Sequence, residues 1–174
     1  EMTRKNVAAG LVESFSEECE NCNGRGLIIN EIFSKIKRNF ISKGFQLIFI
    51  PSMRTPLKII HAAKNFFDKD QIIITKVDKK AYLSSLKLSD YIVVTCDSTS
   101  MISEAAMTGK PIYIAQMPPI KKNERFKKFF ETFESLNIVK ELGDNIENWN
   151  YEKLNETDKI SGYIKDKLNN YDFS

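Results

Sequence analysis

Cysteine and histidine are scarce in this sequence, which limits the metal sites that it can form. The 174 residues contain three cysteines, Cys19, Cys22 and Cys96, and a single histidine, His61. A structural zinc site needs four ligands, and the candidates beyond the Cys19–Cys22 pair fall in separate predicted elements, so we predict no metal site. An odd number of cysteines without a recognisable secretion signal favours free thiols in a reducing compartment, and we expect a cytoplasmic protein.

Several motifs that would indicate a function are also absent. The sequence has no apolar run close to the ~20 residues that span a bilayer, no GxGxxG dinucleotide fingerprint and no GxxxxGK[ST] phosphate loop. Its one histidine lies inside a predicted helix, so no Ser-His-Asp triad can be assigned. The formal net charge of +3 is too small to indicate a nucleic-acid partner, and we expect none.

What the sequence does contain is a regular alternation of short apolar runs with amphipathic segments. The apolar runs have the length of strands and are Val7–Val12, Phe45–Ile50, Gln71–Thr75, Tyr91–Cys96 and Ile112–Ala115. The spacing of apolar residues predicts helices at 27–44, 56–67, 80–88, 100–108, 123–136 and 158–168. Because the strands are apolar throughout, helices must cover both faces of the sheet. This predicts one α/β domain over residues 1–174 with a doubly wound, Rossmann-like parallel sheet, and the polar stretch 13–26 predicts a disordered loop.

Four small polar residues, Asp97, Ser98, Thr99 and Ser100, lie where the fourth predicted strand turns into a helix. Ligands of parallel sheets bind at the carboxyl ends of the strands. The first N–H groups of the following helix lack partners and carry a partial positive charge, so an anion such as phosphate is favoured there, with the hydroxyls as further donors. The alternative is structural: one of these side chains caps the helix, and the others are solvated.

Glu104 follows Ser100 by four residues and therefore shares its helical face. A carboxylate repels phosphate but accepts hydrogen bonds from two hydroxyls, so Glu104 suits the diol of a ribose or a sugar. Asp97 is either a second acceptor for hydroxyls or a backbone cap. The alternative for Glu104 is an exposed side chain beside a lysine.

A second strand end carries Arg54, which the predicted sheet places at the same edge as Ser98. Its guanidinium fork suits a diphosphate, although an arginine in a loop is more often solvated. The neighbouring Thr55 and Pro56 predict a helix start, with Thr55 as the N-cap and Pro56 at the first helical position. Lys110 is predicted to lie at the C-terminus of the short helix that precedes it, away from the anion site.

The segment that holds these residues, VVTCDSTSMISEAAMTGKPIYI at Val93–Ile114, resembles the signature of the mitochondrial fission ELM family. The family pattern runs Thr-x-Asp-Ser-x-Ser-Met-x-Ser-Glu-Ala and then Thr-Gly-Lys-Pro-Val. Residues 95–111 match every specified position, and Ile112 stands in place of the final valine. Upstream, the stretch 52–56 is similar to the family's Ser-Arg-Arg-Thr-Pro, with Met53 in place of the first arginine. The resemblance covers about residues 45–168.

This resemblance implies a GT-B-like fold, of which the chain would be the C-terminal half that binds a nucleotide sugar, without the preceding acceptor domain. It implies glycosyltransferase-like or sugar-epimerase-like activity, with a nucleotide-diphosphate sugar as donor substrate and no cofactor. No catalytic residue is assigned, and the residues for the nucleotide sugar would be Arg54, Asp97, Ser98, Thr99, Ser100 and Glu104. Plant members are associated with recruiting fission machinery to mitochondria, so the alternative is a non-catalytic adaptor at a membrane surface.

The predicted helix 123–136 combines basic and aromatic residues in a way that allows two interpretations. Its phenylalanines recur at i, i+3, i+4 and i+7 and are Phe126, Phe129, Phe130 and Phe133, surrounded by Lys121, Lys122, Arg125, Lys127 and Lys128. This spacing is typical of a helix that packs on its own domain and leaves a basic face in solvent. The alternative is a peripheral contact with anionic lipid, which would suit a lipid-linked sugar acceptor.

Overall fold

Six strands and six α-helices alternate along the part of the chain that the structure, a computed structural model, describes: residues 6–11, 25–96, 98–116 and 124–169. The strands are β1 (Asn6–Leu11), β2 (Gln46–Pro51), β3 (Ile72–Ile73), β4 (Tyr91–Thr95), β5 (Ile112–Ala115) and β6 (Val139–Glu141). The helices are α1 (Arg25–Asn39), α2 (Leu57–Phe66), α3 (Lys79–Leu88), α4 (Thr99–Ala106), α5 (Glu124–Ser135) and α6 (Glu156–Asn169). A 3₁₀ turn at Ile41–Lys43 follows α1.

The strands form one parallel sheet in the order β3-β2-β1-β4-β5-β6. β1 lies between β2 and β4, so that Gly10 of β1 is paired with both Ile50 and Val94. From β1 to β3, each new strand is added on one side of β1. The chain then crosses back over β1, and β4, β5 and β6 are added in turn on the other side. This doubly wound order confirms the predicted Rossmann-like sheet.

Alternate residues of the central strand β4 point into two different cores. Ile92 and Val94 belong to the core under α3, α4 and α5, whereas Val93 belongs to the core under α1 and α2. The residues of β4 from Ile92 to Thr95 are all buried. Burial on both faces explains why the strand sequence is apolar throughout instead of alternating.

The strands at the two edges of the sheet differ most from the prediction. The strand predicted at 71–75 pairs only at Ile72 and Ile73, because it lies at an edge and has β2 as its one neighbour. β6 was not predicted, since its three residues are too few to show a period. The other strands agree with the prediction to within one residue at either end.

The first helix also differs from the prediction at both of its ends. α1 begins at Arg25, so the last two residues of the predicted loop 13–26 are helical, and residues 13–24 lie outside the described residues. The helix ends at Asn39 instead of near Gly44, which follows the 3₁₀ turn. Gly44 has a φ of +88°, a left-handed conformation that glycine adopts without strain.

The last helix, α6, presents an apolar stripe to solvent. Ile160, Tyr163, Ile164 and Leu168 recur at spacings of three and four residues, and each is between 50% and 63% exposed. Its bounds, 156–169, agree with the helix predicted at 158–168. Among the described residues, we find no helix with both the length and the apolar character that a bilayer crossing requires.

Candidate functional site

The carboxyl ends of β2, β1 and β4 meet at one edge of the sheet, where the chain changes its winding direction. β2 ends at Pro51 and β4 ends at Thr95, and both strands pair with β1. Neighbouring strands lie about 4.8 Å apart, so the loops after β2 and β4 leave the sheet roughly 10 Å from each other. Parallel α/β sheets bind their ligands at such a change of direction. The loop with Arg54 and the start of α4 therefore flank one candidate site.

Ser98 is the N-cap of α4. The helix begins at Thr99, and the Ser98 Oγ accepts a hydrogen bond from the Met101 N–H at 3.5 Å. Ser98 is only 4% exposed, whereas Thr99 is half-buried and Ser100 is exposed. A serine hydroxyl that accepts one hydrogen bond can still donate another, so capping leaves Ser98 available to an anion at the helix start. Asp97 lies outside the described residues.

Glu104 is exposed on α4, and its carboxylate lies beside the Tyr82 hydroxyl of α3. That hydroxyl is buried and makes no hydrogen bond of ordinary geometry within the described residues. Burial, and then the nearby Glu104, raises the pKa of Tyr82 above its ordinary value. In the described part of the chain no lysine or arginine lies within ion-pair distance of Glu104, so the alternative of a lysine partner is not supported.

Tyr82 was not among the predicted site residues. It precedes Leu86 by four residues on the side of α3 that packs on the core, a pattern that indicates packing alone. Nothing in the local sequence relates α3 to α4. The proximity of α3 and α4 depends on the strand order, which the local sequence does not contain. In the sheet, α3 crosses back over β2 and β1 and so comes close to α4.

Arg54 lies in a tight turn that two hydroxyl groups hold together. The Ser52 N–H donates to the Thr55 Oγ1 at 2.9 Å, the Thr55 N–H donates to the Ser52 carbonyl at 3.1 Å, and the Arg54 N–H donates to the Ser52 Oγ at 3.1 Å. The following helix begins at Leu57 with Pro56 as its N-cap. The prediction of Thr55 as the N-cap is wrong, because its hydroxyl closes the turn before the helix. The Arg54 side chain is exposed at the sheet edge.

The Thr-Gly-Lys-Pro part of the motif has structural roles at the opposite end of α4. Gly109 has a φ of +74°, and a Cβ atom there would approach the Lys153 side chain to 2.8 Å. The Lys110 Nζ donates to the carbonyl oxygens of Leu86 at 2.8 Å and Lys87 at 2.6 Å. Lys110 therefore caps the C-terminus of α3. It lies away from the start of α4 as expected, but it serves a neighbouring helix instead of its own.

Tyr151 allows a pH-dependent test of the packing at this end of α4. Burial raises the pKa of Tyr151 to about 12, against an opposing effect of the Thr108 hydroxyl and the Gly109 backbone. An unfolded tyrosine ionises near pH 10. The contribution of the protonated Tyr151 hydroxyl to the free energy of unfolding is therefore complete below about pH 10. It is lost as the pH rises towards 12. In urea denaturation between about pH 9 and 11, we expect Tyr151→Phe to lose less stability than the wild type.

The exposed Tyr163 provides the control for this experiment, because it is 63% exposed on α6. The Tyr163→Phe variant should lose as much stability over the same pH range as the wild type. Equal losses in the wild type and in Tyr151→Phe would contradict the burial of the Tyr151 hydroxyl.

The described residues include no group of three or more His, Cys, Asp or Glu side chains that could hold a metal ion. His61 lies inside α2, as predicted, and is exposed. Cys96 is half-buried. Cys19 and Cys22 lie outside the described residues.

The phenylalanine stripe of α5 packs on the domain, which supports the packing interpretation of this helix. Three of its rings join the core under α3, α4 and α5, namely Phe129, Phe130 and Phe133. The rings of Phe129 and Phe133 have centroids 4.1 Å apart. Lys127 and Lys128 are exposed on the same helix, whereas Lys121 and Lys122 lie outside the described residues.

Comparison with known families gives a match over residues 19–168 to the family described as Mitochondrial fission ELM1. The chain is 30% identical over 155 residues to "Uncharacterized protein RP120" of Rickettsia prowazekii (strain Madrid E), a match that covers 82% of this chain and 44% of that protein. It is 32% identical over 120 residues to "Mitochondrial fission protein ELM1" of Arabidopsis thaliana, with 67% of this chain and 28% of that protein covered. The chain thus spans less than half the length of these relatives.

The fold is similar to that of two solved structures. One is described as a "putative UDP-N-acetylglucosamine 2-epimerase" from Listeria monocytogenes, with a TM-score of 0.52, 15% identity, and 96% of this chain and 37% of that chain covered. The other is UDP-GlcNAc 2-epimerase from Neisseria meningitidis bound to UDP-GlcNAc, with a TM-score of 0.50, 13% identity, and 99% and 40% covered. At these identities the likeness shows the fold alone, and it confirms the predicted GT-B-like, Rossmann-like fold.

Proposed function

The chain belongs to the mitochondrial fission ELM1 family, and from this premise we propose that it is the half of a GT-B-like protein that binds a nucleotide-diphosphate sugar. The observation that carries the proposal is the position of α4, whose capped N-terminus lies beside the change of winding direction and whose exposed side bears Glu104. The fold that the chain shares with two UDP-GlcNAc 2-epimerases supports it. The acceptor domain would lie in the additional length of the longer relatives.

In this proposal the diphosphate and the ribose of the ligand bind at different positions along α4. The diphosphate binds at the start of the helix, where the backbone N–H groups, the hydroxyls of residues 98–100 and the Arg54 guanidinium are donors. Glu104 lies five residues after Thr99, or about 7.5 Å along the helix axis. This separation keeps the carboxylate off the phosphates and lets it accept hydrogen bonds from the ribose that is joined to them. Asp97 completes the proposed set as a hydroxyl acceptor.

The expected affinity of this half alone is low. Two or three charge-assisted hydrogen bonds contribute about 1.5–3 kcal/mol each, and association itself costs roughly 4 kcal/mol or more. The difference is at most about 5 kcal/mol, so the dissociation constant should be near the millimolar scale or weaker. A glycosyltransferase-like or epimerase-like reaction would then require the rest of the longer protein, which supplies the acceptor.

Ligand-observed NMR against UDP-, GDP- and ADP-sugars tests the proposed site. We expect saturable binding of at least one of them, and we expect Glu104→Gln to weaken it about tenfold, because an amide accepts hydroxyl hydrogen bonds less strongly than a carboxylate. Ser98→Ala should weaken binding as well, but it also removes a helix cap worth about 1 kcal/mol.

Two further variants separate binding from folding. Ser98→Gly removes the hydroxyl and lowers helix stability by only a few tenths of a kcal/mol, since glycine is accepted at an N-cap. Glu134→Gln changes a second exposed glutamate, on α5, and should bind like the wild type. The proposal fails if no nucleotide sugar gives a saturable signal, or if the signal survives both Ser98→Gly and Glu104→Gln unchanged.

A second candidate function is that of an adaptor at a membrane surface. The relation to a protein named "Mitochondrial fission protein ELM1" favours it, as do the exposed Lys127 and Lys128 of α5. An adaptor should sediment with vesicles that contain phosphatidylserine, and this binding should survive Glu104→Gln but fall in Lys127→Glu/Lys128→Glu. Vesicle binding that neither change affects, or no vesicle binding at all, would argue against this candidate.

A further inference from the structure

We propose that Tyr82 positions the Glu104 carboxylate for a ribose: its hydroxyl donates a hydrogen bond to one carboxylate oxygen, and the other oxygen accepts from the ligand. This inference rests on the proposed nucleotide-sugar site and adds to it a residue from α3. Tyr82 is thus a positioning residue that acts through Glu104.

The buried hydroxyl of Tyr82 is the observation that needs an explanation. The ring packs against the core that holds Ile102 and Ala105 of α4, and the oxygen is shielded from solvent. Within the described residues this oxygen has no hydrogen bond of ordinary geometry, a property that it shares only with Tyr151. A buried polar group without a partner destabilises the folded state, and a phenylalanine would fill the same space without that penalty. Packing therefore accounts for the ring but not for the oxygen.

The chemistry of the two groups fits a donor and an acceptor. Burial keeps the pKa of Tyr82 above its ordinary value, and the Glu104 carboxylate acts in the same direction. The phenol therefore remains protonated, and able to donate, over the neutral pH range in which a carboxylate is ionised. The Glu104 side chain is exposed and can change its rotamer, which the proposed hydrogen bond requires.

The placement of the two helices explains how one carboxylate can serve both partners. α3 and α4 both begin at the carboxyl edge of the sheet, and Tyr82 and Glu104 lie in the fourth and sixth positions of their helices. Helical side chains tilt towards the N-terminus, so both side chains lean towards that edge. A glutamate has several rotatable bonds, and a hydrogen bond from a fixed phenol reduces the freedom that it loses when the ribose binds.

The test compares UDP with 2′-deoxy-UDP by ligand-observed NMR titration of the full chain. We expect the wild type to prefer UDP, and we expect Tyr82→Phe to weaken UDP binding about three- to tenfold, which corresponds to the loss of one hydrogen bond to a charged group. Binding of 2′-deoxy-UDP should fall less, so the preference for the ribonucleotide narrows. In the double variant Tyr82→Phe/Glu104→Gln, the loss should be no greater than in Glu104→Gln alone, because one residue acts through the other.

Tyr151→Phe is the matched control, because it removes a second hydroxyl that is buried and has no hydrogen-bond partner among the described residues, at the far end of α4. It should bind both nucleotides like the wild type, and Tyr82→Phe should be at least as stable as the wild type in urea. If the wild type binds UDP and Tyr82→Phe binds it equally well with the same preference, this inference is wrong while the proposed function stands. If the wild type binds no nucleotide sugar and no UDP, the proposed function fails and this inference fails with it.

Discussion

Replacing Phe33 with alanine is expected to lower the free energy of unfolding by about 3–5 kcal/mol. Phe33 is fully buried in α1, at 0% exposure, and its ring contacts those of Phe49, Phe66 and Phe67 with centroid separations of 6.4, 5.5 and 5.0 Å. It thus joins α1 to β2 and to the end of α2. The truncation leaves a cavity among these rings, because the helices and the sheet that surround it can collapse only in part.

Urea denaturation measures this loss, and Tyr163→Ala provides an aromatic control on an exposed helix face. Tyr163 is 63% exposed, so its truncation should change the stability by less than about 0.5 kcal/mol. Domains of this size have a total stability of about 5–15 kcal/mol, so Phe33→Ala should remain folded at low temperature but with much reduced stability. A loss below about 1 kcal/mol would contradict the packing of α1 on β2 and α2.

The Lys110→Met variant is expected to be less stable than the wild type by about 2–3 kcal/mol. The Lys110 ammonium donates to two carbonyl oxygens, those of Leu86 and Lys87, which lie at the end of α3 where carbonyl groups lack partners within the helix. Methionine keeps most of the length and the apolar contacts of lysine but has no donor. The Leu86 carbonyl then keeps the long hydrogen bond from the Ser89 Oγ at 3.5 Å, and the Lys87 carbonyl must find water or remain unpaired.

Lys165→Met is the control for this variant, because Lys165 is exposed on α6 and its replacement should have almost no effect. Lys110→Arg should recover part of the stability, since a guanidinium can donate to both carbonyl oxygens. Nucleotide binding should be unchanged in folded Lys110→Met, because Lys110 lies at the opposite end of α4 from the candidate site. Stability equal to that of the wild type would show that the carbonyl groups of α3 do not depend on this cap.

The strands that could be predicted from the sequence are those that are buried on both faces of the sheet, because burial on both faces makes a strand apolar throughout. β1, β2, β4 and β5 are the inner strands, and their apolar runs are long enough to recognise. The edge strands are different, because only one neighbour fixes their length. The run at 71–75 has the composition of a strand, yet its register with β2 covers only Ile72 and Ile73, followed by one hydrogen bond from the Ile74 N–H to the Phe49 carbonyl. β6 is paired over three residues with no pattern of its own.

Only the part of the candidate site that lies directly after the strands could be predicted from the sequence. The prediction that Arg54 and Ser98 share one edge follows from parallel strands alone, and the structure has this arrangement. The Thr55 cap was wrong because a side-chain hydroxyl can close a turn as well as cap a helix, and the local sequence does not distinguish the two. Tyr82 and the α3 partner of Lys110 depend on contacts between elements that are distant in sequence, which a local pattern does not contain.

The residues of the family signature have different roles at the two ends of α4, and this difference affects how membership of the family should be interpreted. Gly109 and Lys110 hold the scaffold together whatever the protein does, whereas Glu104 is exposed and Ser98, although buried, caps the end of α4 that lies at the candidate site. A relative that did not bind a nucleotide sugar would still gain stability from the Thr-Gly-Lys-Pro turn. That turn is therefore evidence of shared ancestry, whereas the proposed binding of a nucleotide sugar has to be judged from Ser98 and Glu104.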